Sequence, residues 1–391
     1  MAERANITPS VLKWARESAK MSENVAASKV SVDLEKYREW EEGTSQPTIR
    51  QAETLAKAYK RPFALFFLPE KPTDFQPLQD FRNKNARPLG TASTFIIREL
   101  QQKQAWISEF YQENKEEKFS YVGKFSLKSD PAQVASDISE TLQIDPTNYH
   151  TDNPLKEWIA KAESSGIFVS RTSFIHSKMK LDADEMQGFA IADEYAPFVF
   201  INSDDWDSSM LFTLVHELAH IWIAASGVSN GISPVSLLTG KIEPIELFCN
   251  EVAATALMPE AMMRRYDGAI YRSPNKLFSA AKKLGVSTLA FLVRSYKLGI
   301  ITLPVYNSLK SDATIEFEKF LAKEEAKKEL AKEKGKTGGP SPFLMLAYRN
   351  GKLFTQVVID AFHGGFIPPT QASNLLNTQI TKFPKLLSKL Y

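Results

Sequence analysis

Residues 212–222 read FTLVHELAHIW, an apolar segment that carries two of the five histidines in this 391-residue chain. His216 and His220 are four positions apart, so on an α-helix they lie one above the other on the same face. Glu217 directly follows the first histidine. The stretch therefore predicts a helix on which two imidazoles point the same way, with a carboxylate beside them, in otherwise apolar surroundings.

The spacing His-Glu-x-x-His on a helix is typical of a zinc site. Two imidazoles one turn apart can both reach one ion, at Zn–N distances of about 2.0–2.1 Å. Bound zinc lowers the pKa of a coordinated water to about 7, and Glu217 is placed to act as general base and then as proton donor to a leaving amine. The alternative is a helix with hydrogen-bonded structural histidines, although so few histidines rarely give this spacing by chance. We predict a metal site.

A catalytic zinc site needs a third protein ligand and keeps one coordination position open. The segment IELFCN at residues 245–250 offers Glu246, and Asn250 lies four residues later on the same helix face. We predict that Glu246 is the third ligand and that Asn250 orients His216 or His220 through a hydrogen bond. Two histidines and one carboxylate also suit Mn²⁺ or Fe²⁺, so the sequence favours zinc without excluding these metals.

Three neighbouring side chains compete for a role at this site. Glu243 precedes Pro244 at the start of the predicted helix, and Glu251 is rotated by about 100° from Asn250, away from the metal-facing side. Cys249 stands among apolar residues, which favours a small buried side chain over a thiolate ligand. We therefore prefer Glu246 to all three.

A peptidase also needs a group that stabilises the tetrahedral oxyanion. The candidates upstream of the helix are Tyr195 and His176, and the sequence does not decide between them. His150, His176 and His363 stand in loop-like or tail segments, so a structural or exposed position is the competing interpretation for each. The strand PFVFIN, residues 197–202, is either an exposed edge that pairs with an extended substrate or an ordinary core strand.

The remaining sequence divides into five predicted regions. These are short helices typical of a helix-turn-helix module at 1–76, a helical connection at 77–165, a peptidase domain with strands at 166–310, a charged linker at 311–340 and a small helical region at 341–391. The predicted fold class is therefore α+β and mainly helical, with an N-terminal helix-turn-helix bundle, a small β-sheet in the peptidase domain and a helical C-terminal region.

Composition excludes several classes of protein. The 48 Lys and Arg residues nearly balance 46 Asp and Glu residues, which argues against a surface devoted to nucleic acid or membrane. The single cysteine rules out internal disulfides and indicates a reducing compartment. The N-terminus lacks a secretory signal pattern and no apolar run of about 18 residues is present, so we expect a cytoplasmic protein that does not enter a membrane.

The N-terminal module carries an unfavourable charge for DNA binding. Residues 20–50 contain five basic and six acidic residues, whereas affinity for DNA comes mainly from Lys and Arg on phosphates. In the predicted recognition helix, VDLEKYREWEEG, only Lys36, Tyr37 and Arg38 are candidates for DNA contact. DNA binding, packing on the rest of the protein and docking of a partner repressor all stay open, and so does the oligomeric state.

Several of these segments resemble one family. GFAIADEYAPFVFIN at 188–202, FTLVHELAHIW and IELFCNEVAATALMP at 245–259 resemble the ImmA/IrrE family of zinc metallopeptidases. LKWARESAKMSENVAASKV and the helices after it resemble an XRE-type helix-turn-helix domain, the frequent N-terminal partner of that family. GGPSPFLMLAYRNGKLFTQVVIDAF at 338–362 resembles the C-terminal region of such fused proteins.

The resemblance implies a gluzincin-like fold in which His216, His220 and Glu246 bind zinc and Glu217 is the catalytic acid/base. It further implies a regulatory protease that cuts a helix-turn-helix repressor and so relieves repression of stress or mobile-element genes. Two alternatives are a transcription regulator whose metal site senses or holds a partner, and an antitoxin-like module with a vestigial peptidase. The intact Glu217 favours the enzyme, because a scaffold would not need that base.

Overall fold

The computed structural model describes residues 3–73, 78–81, 87–176, 179–229, 243–333 and 341–390. The chain folds into two compact units, and it enters the first unit three times. The first unit comprises Met1–Pro77, Arg87–Gln102 and Phe174–Leu181, and the second comprises Leu78–Ala86, Lys103–Ser173 and Asp182–Tyr391. The short stretch Phe174–Leu181 thus belongs to the first unit, although the sequence places it between two segments of the second.

Helices make up most of the described chain. They are α1 Pro9–Ser18, α2 Glu23–Lys29, α3 Leu34–Glu42, α4 Ile49–Ala58, α5 Thr91–Glu113, α6 Pro131–Thr141, α7 Pro154–Ser164, α8 Asp207–Trp222, α9 Pro244–Leu257, α10 Glu260–Met263, α11 Pro274–Lys283, α12 Thr288–Lys297, α13 Leu303–Glu333, α14 Pro342–Asn350, α15 Lys352–His363, α16 Pro369–Leu375 and α17 Phe383–Leu387. Short 3₁₀ turns occupy Phe63–Phe67, Gly268–Arg272 and Ile380–Lys382. The charged run that was predicted to begin at residue 311 is helical as far as Glu333, within α13.

The strands are β1 Gln79–Asp80, β2 Phe168–Thr172, β3 Phe174–His176, β4 Met179–Lys180, β5 Gly188–Ile191, β6 Phe198–Asn202 and β7 Gly227–Ser229. The second unit contains a mixed sheet in the order β1-β7-β5-β6-β2. In this sheet β5 runs antiparallel to both of its neighbours, while β2 is parallel to β6 and β1 is parallel to β7. β3 and β4 form a separate antiparallel pair. The predicted fold class, α+β and mainly helical with a small sheet, is confirmed.

The position of β6 decides one open alternative. β6 lies between β5 and β2 and is buried along its whole length. Its backbone groups already pair on both sides, so β6 cannot accept an extended peptide along an edge. The interpretation of PFVFIN as an exposed edge strand is wrong, and the core-strand interpretation is right.

The first unit shows how local signals set its helices. The hydroxyl of Ser22 accepts a hydrogen bond from a backbone N–H at the start of α2, and Thr48 forms a capping box at the start of α4. Gly43 ends α3 in the left-handed region, with φ of 82°. Buried aromatic side chains, among them Tyr37, Trp40 and Tyr59, fill the space between these short helices.

The second unit is built around α8, which packs on β5 and β6 and against α9. Every residue of α8 from Leu214 to Trp222 is buried, because this helix is apolar around most of its circumference. α6 closes the opposite side of the α8–α9 pair, and α14 packs on β2. Among the described residues, no helix combines the length and the apolar character needed to span a bilayer.

Candidate metal centre

Three predicted ligands meet between α8 and α9. Nε2 of His216 lies 3.1 Å from Nε2 of His220. The carboxylate of Glu246 lies 3.3 Å from Nε2 of His216 and 3.2 Å from Nε2 of His220. All three side chains are buried, and within the described ranges they form the group of His, Cys, Asp and Glu residues suited to hold a metal ion.

Helix geometry explains why these side chains converge. His216 and His220 are one turn apart on the face of α8 that contacts α9. α9 begins at Pro244, whose fixed φ suits the first turn of a helix. Glu246 therefore stands in the first turn of α9, and Asn250 follows one turn later on the same face.

Asn250 determines the orientation of His216. Its Oδ1 atom lies 3.1 Å from Nδ1 of His216. Since an amide oxygen can only accept a hydrogen bond, Nδ1 carries the proton and Nε2 presents a lone pair to the cluster. The structure thus places Asn250 beside His216 and not beside His220.

The donor set of this cluster fits a metal ion. Ring nitrogens of two imidazoles and the oxygens of one carboxylate face each other across 3.1–3.3 Å, and such electron-rich atoms repel unless a cation or a proton lies between them. Ligands at about 2.0–2.1 Å around a tetrahedral zinc ion are about 3.3 Å apart. The residues present therefore suit a small divalent cation with imidazole and carboxylate ligands.

The electrostatics of Glu246 favour the ionised form that a metal ligand requires. Burial opposes ionisation, but the adjacent His216 and His220 outweigh it and lower the pKa of Glu246 to about 2. Ser229 Oγ, at the end of β7, lies 3.4 Å from Oε1 of Glu246 and from Nε2 of His220. Glu246 is therefore an anion at neutral pH even before a metal is considered.

Glu217 has the opposite environment. It is fully buried, and among the residues that the structure describes only a weak interaction with the Ser229 hydroxyl reaches its carboxylate. Burial raises the pKa of Glu217 to about 8. Gly188 leaves room for this carboxylate, because a Cβ atom there would lie 3.0 Å from Oε1 of Glu217 and 2.7 Å from Cγ2 of Thr213. The side chain is thus held near the cluster with an uncommitted carboxylate.

A cavity of about 230 Å³ opens onto His216 and Glu217. Polar groups of Gln187, Ser229 and Asn250 line the part near the cluster. The walls further out are mostly apolar and come from α8, the start of α12 and α13; they include Trp206, Phe212, Val286, Ala290 and Phe317. The rings of Trp206 and Phe317 contact each other edge to face, with centroids 6.4 Å apart. This cleft leads from the protein surface to His216 and Glu217.

The competing donors on α9 lie outside the cluster. Glu251 pairs with Arg294 at 2.6 Å and with Lys297 at 2.9 Å. Glu243 is the residue that precedes the first turn of α9. Cys249 is a buried free thiol whose pKa burial raises well above its usual value. The structure therefore brings Glu246, and not these three residues, to the two histidines.

The two proposed oxyanion stabilisers have different outcomes. Tyr195 lies in the turn between β5 and β6, beside Lys118 and at the opposite end of β5 from Gly188. It does not line the cleft. The prediction for Tyr195 is therefore wrong: β5 runs away from the site, and Tyr195 lies in the turn beyond its far end. His176 ends β3 in the first unit, and its side chain lies outside the described part of the chain, so its role stays a prediction.

The predictions for the three candidate DNA contacts also have different outcomes. Tyr37 is 0% exposed. Its hydroxyl lies 2.6 Å from the hydroxyl of Tyr59 and donates a hydrogen bond to Oε1 of Glu41 at 2.7 Å. The prediction that Tyr37 contacts DNA is wrong, because this side of α3 faces the core. Lys36 pairs with a glutamate one turn away on α3, and Arg38 pairs with a glutamate of α2. Their role in DNA binding stays a prediction.

Sequence reasoning missed three residues that shape the site. Gly188 makes space for Glu217, Ser229 contacts two of the ligands, and the ring of Phe81 stacks on His220. A glycine at the start of an apolar strand is a weak signal of a close approach. Phe81 gave no local signal, because its partner lies more than 130 residues later in the chain.

Comparison with protein families supports the same region. The model of the IrrE N-terminal-like domain, in the family Peptidase_M78, matches residues 162–296. This segment is about a third of the chain, and it contains Glu217 and all three members of the cluster. The match indicates a metallopeptidase-like function for this segment. It does not include the N-terminal residues, so their likeness to an XRE-type domain stays a prediction. Comparison with curated proteins yields no match.

Proposed function

We propose that this protein is a zinc-dependent endopeptidase. The observation that carries the proposal is the meeting of His216, His220 and Glu246 beside Glu217, a buried carboxylate that only the Ser229 hydroxyl weakly contacts among the described residues, at the base of a cleft. Fold alone would not support an activity. The proposed activity is supported by donor atoms that suit a metal ion, together with an adjacent buried carboxylate that can act as general base.

Each residue has a distinct role in this proposal. His216, His220 and Glu246 would hold the zinc ion, and Asn250 fixes the His216 tautomer that leaves Nε2 free for it. When bound, zinc supplies a Lewis acid that polarises a carbonyl and increases the acidity of water. Glu217 accepts the proton of the attacking water and returns it to the leaving amine.

The protonation equilibrium of Glu217 suits that role. A general base works best when its pKa lies near the working pH, because it must both accept and release a proton. Burial brings the pKa of this carboxylate from 4.5 to about 8. A neighbouring cation lowers the pKa of a carboxyl group, so bound zinc would bring this value down towards neutrality.

The cleft indicates the form of the substrate. The cluster is buried, and much of the cleft that leads to it is lined by apolar side chains, so a locally unfolded segment with a large apolar side chain would fit better than a folded surface. We further propose that the substrate is a helix-turn-helix repressor of stress or mobile-element genes. This finer proposal rests on the resemblance of the quoted segments to the ImmA/IrrE family.

The test compares the full chain with its Glu217→Gln variant. Bound metal is quantified by mass spectrometry, and both proteins are incubated with the repressor encoded beside the gene. We expect about one zinc per chain in both proteins and cleavage by the wild type alone. Glu260→Gln is the matched control, since this exposed carboxylate on α10 pairs only with Arg264 in the described structure, and it should keep both zinc and cleavage.

Each outcome has a clear meaning. Absence of metal from the wild type would overturn the zinc site. Stoichiometric zinc in the wild type without cleavage of the repressor or of unfolded peptides would reject the peptidase and favour a partner-binding regulator. Cleavage by Glu217→Gln at the wild-type rate would contradict the role given to Glu217.

A further inference from the structure

The two histidines of the cluster are supported in different ways. Nδ1 of His216 is hydrogen-bonded to Asn250, which fixes the plane of its ring. Nδ1 of His220 has no hydrogen-bond partner within the described ranges. The described polar contacts of His220 are all at Nε2, with Glu246, His216 and Ser229, so the Nδ1 side of the ring depends on packing for its support.

That packing contact is the side chain of Phe81. Its ring lies parallel to the imidazole of His220, with centroids 5.1 Å apart and an interplanar angle of 7°. Phe81 is only 5% exposed. The torsion that turns a histidine ring is broad and has no sharp preference of its own. A flat neighbour therefore restricts the ring where a hydrogen bond is lacking.

Phe81 is itself held in a shaped position. β1 pairs with β7 in parallel register, and the backbone N–H of Phe81 donates to the carbonyl of Val228 at 3.1 Å. Gly227 leaves space for the ring, because a Cβ atom there would lie 2.2 Å from Cε2 of Phe81 and 2.7 Å from the carbonyl oxygen of Gln79. A glycine at the start of β7 thus allows both the strand β1 and the Phe81 ring to approach.

We propose that Phe81 is a positioning residue for His220, and that β1 thereby completes the metal centre from a point 80 residues before the matched domain. This inference rests on the proposed zinc site. Phe81 acts through His220 and touches neither substrate nor metal. It keeps Nε2 aimed at Glu246, so that the free protein is already arranged for the ion and loses less ring freedom on binding.

The zinc affinity of full-length variants tests this role. Dissociation constants are measured by competition with a chromophoric chelator, and Co²⁺ substitution reports ligand geometry through its visible absorption. We expect Phe81→Ala to weaken zinc binding by about 10- to 100-fold, the range found when other supports of ligating histidines are removed. Phe81→Leu keeps an apolar side chain but lacks the flat face of the ring. It should therefore show most of the loss of zinc affinity that is expected for Phe81→Ala.

Conservative and control variants separate positioning from general stability. Phe81→Tyr retains the stacked ring and should restore zinc affinity to within a few-fold of the wild type. Gly227→Ala should reproduce the loss, because its new methyl group displaces the ring. Phe198→Ala removes a buried ring that stacks on Phe168 elsewhere in the sheet; it should lower thermal stability without changing the zinc affinity or the Co²⁺ spectrum of the folded protein.

The results also distinguish this inference from the proposed function. If the wild type binds no zinc, the proposed function fails first. If the wild type binds zinc and Phe81→Ala and Phe81→Leu bind it equally well, only the role of Phe81 is refuted. Equal losses in Phe81→Tyr and Phe81→Ala would likewise reject stacking as the cause.

Discussion

Glu41 in the first unit and Glu217 in the second are both helical carboxylates shielded from solvent, but their surroundings are opposite. Glu41 accepts hydrogen bonds from Nε of Arg16 at 2.7 Å, from Nη2 of Arg16 at 2.8 Å and from the hydroxyl of Tyr37 at 2.7 Å. Among the described residues, Glu217 has only a weak interaction with the Ser229 hydroxyl and no ion pair. A buried charge that is fully paired stabilises one arrangement of the chain, whereas an unpaired one costs stability and is kept where chemistry needs it.

The same contrast holds for the helices that carry them. α3 is rich in charge, yet four of its six charged side chains pair with one another or with α1 and α2. α8 is mostly apolar, and two of its polar side chains, His216 and His220, belong to the metal cluster. Charge density in the sequence is therefore a poor guide to function in this protein. The lack of partners for a buried polar group is the better guide.

The largest effect that this contrast predicts follows from removing Glu41. Glu41→Ala leaves Arg16 as a buried cation without its main partner, and breaking such a pair costs about 3–5 kcal/mol. Hydrogen exchange of α1–α4 should become faster by the corresponding factor. Glu39→Ala is the control, because the exposed pair of Glu39 with Lys36 should contribute less than about 1 kcal/mol. Equal losses of stability in Glu41→Ala and Glu39→Ala would contradict the structural role given to the buried pair of Glu41 and Arg16.

Glu163 is an intermediate case and gives a pH-dependent prediction. Its carboxylate caps α15 by accepting the backbone N–H of Leu353 at 3.0 Å. Burial outweighs this hydrogen bond and raises the pKa of Glu163 to about 7 from 4.5. The folded state therefore holds the proton more tightly, and this contribution to stability is complete below pH 4.5 and is lost as the pH rises through 7.

Glu163→Gln should remove that dependence while it keeps an oxygen that can accept from Leu353. At pH 5 the variant and the wild type should have similar stability. At pH 8 the variant should be more stable by up to about 3 kcal/mol, the value of the pKa difference. Hydrogen exchange of α15 in the two proteins at each pH measures this, and a variant that is less stable at pH 8 than at pH 5 relative to the wild type would contradict it.

Replacing Glu217 should have the opposite effect on stability to replacing Glu41. In metal-free protein, Glu217→Met replaces an unsatisfied buried carboxyl by an apolar side chain of similar length, which should raise the unfolding free energy by about 1–3 kcal/mol. The corresponding Glu41→Met substitution should lower it. Denaturant unfolding of both variants without metal checks the pair. A loss of stability in Glu217→Met would mean that this carboxylate has a structural partner after all.

The contrast also shows how far the sequence could predict the molecule. Helical periodicity is local, so the spacing of His216 and His220 and the placing of Glu246 and Asn250 on one face followed from two short segments. The fold class followed from the same patterns. Strand order and burial depend on distant contacts, and for this reason the sequence could not exclude Tyr37 from the surface of α3 or Tyr195 from the cleft. Phe81 reaches its partner only through the pairing of β1 with β7.

The smallest predicted effect concerns the outer wall of the cleft. Phe317 comes from α13, beyond the matched residues, and it contacts Trp206 while remaining 47% exposed. A bound substrate with a large apolar side chain would cover part of this ring. Covering about half of a phenylalanine contributes about 1 kcal/mol, so Phe317→Ala should lower kcat/KM for such a substrate by about five- to tenfold, mainly through KM.

A variant on the same helix provides the control for Phe317. Ile315 is also 47% exposed but does not line the cleft, so Ile315→Ala should leave kcat/KM unchanged. Peptides that differ only in one side chain, leucine or phenylalanine in one and serine in the other, should lose their difference in kcat/KM when Phe317 is removed. If both peptides are affected equally, α13 contributes to the shape of the cleft and not to substrate choice. The apolar wall would then be structural, as Glu41 is, and the functional part of the second unit would narrow to the cluster around Glu217.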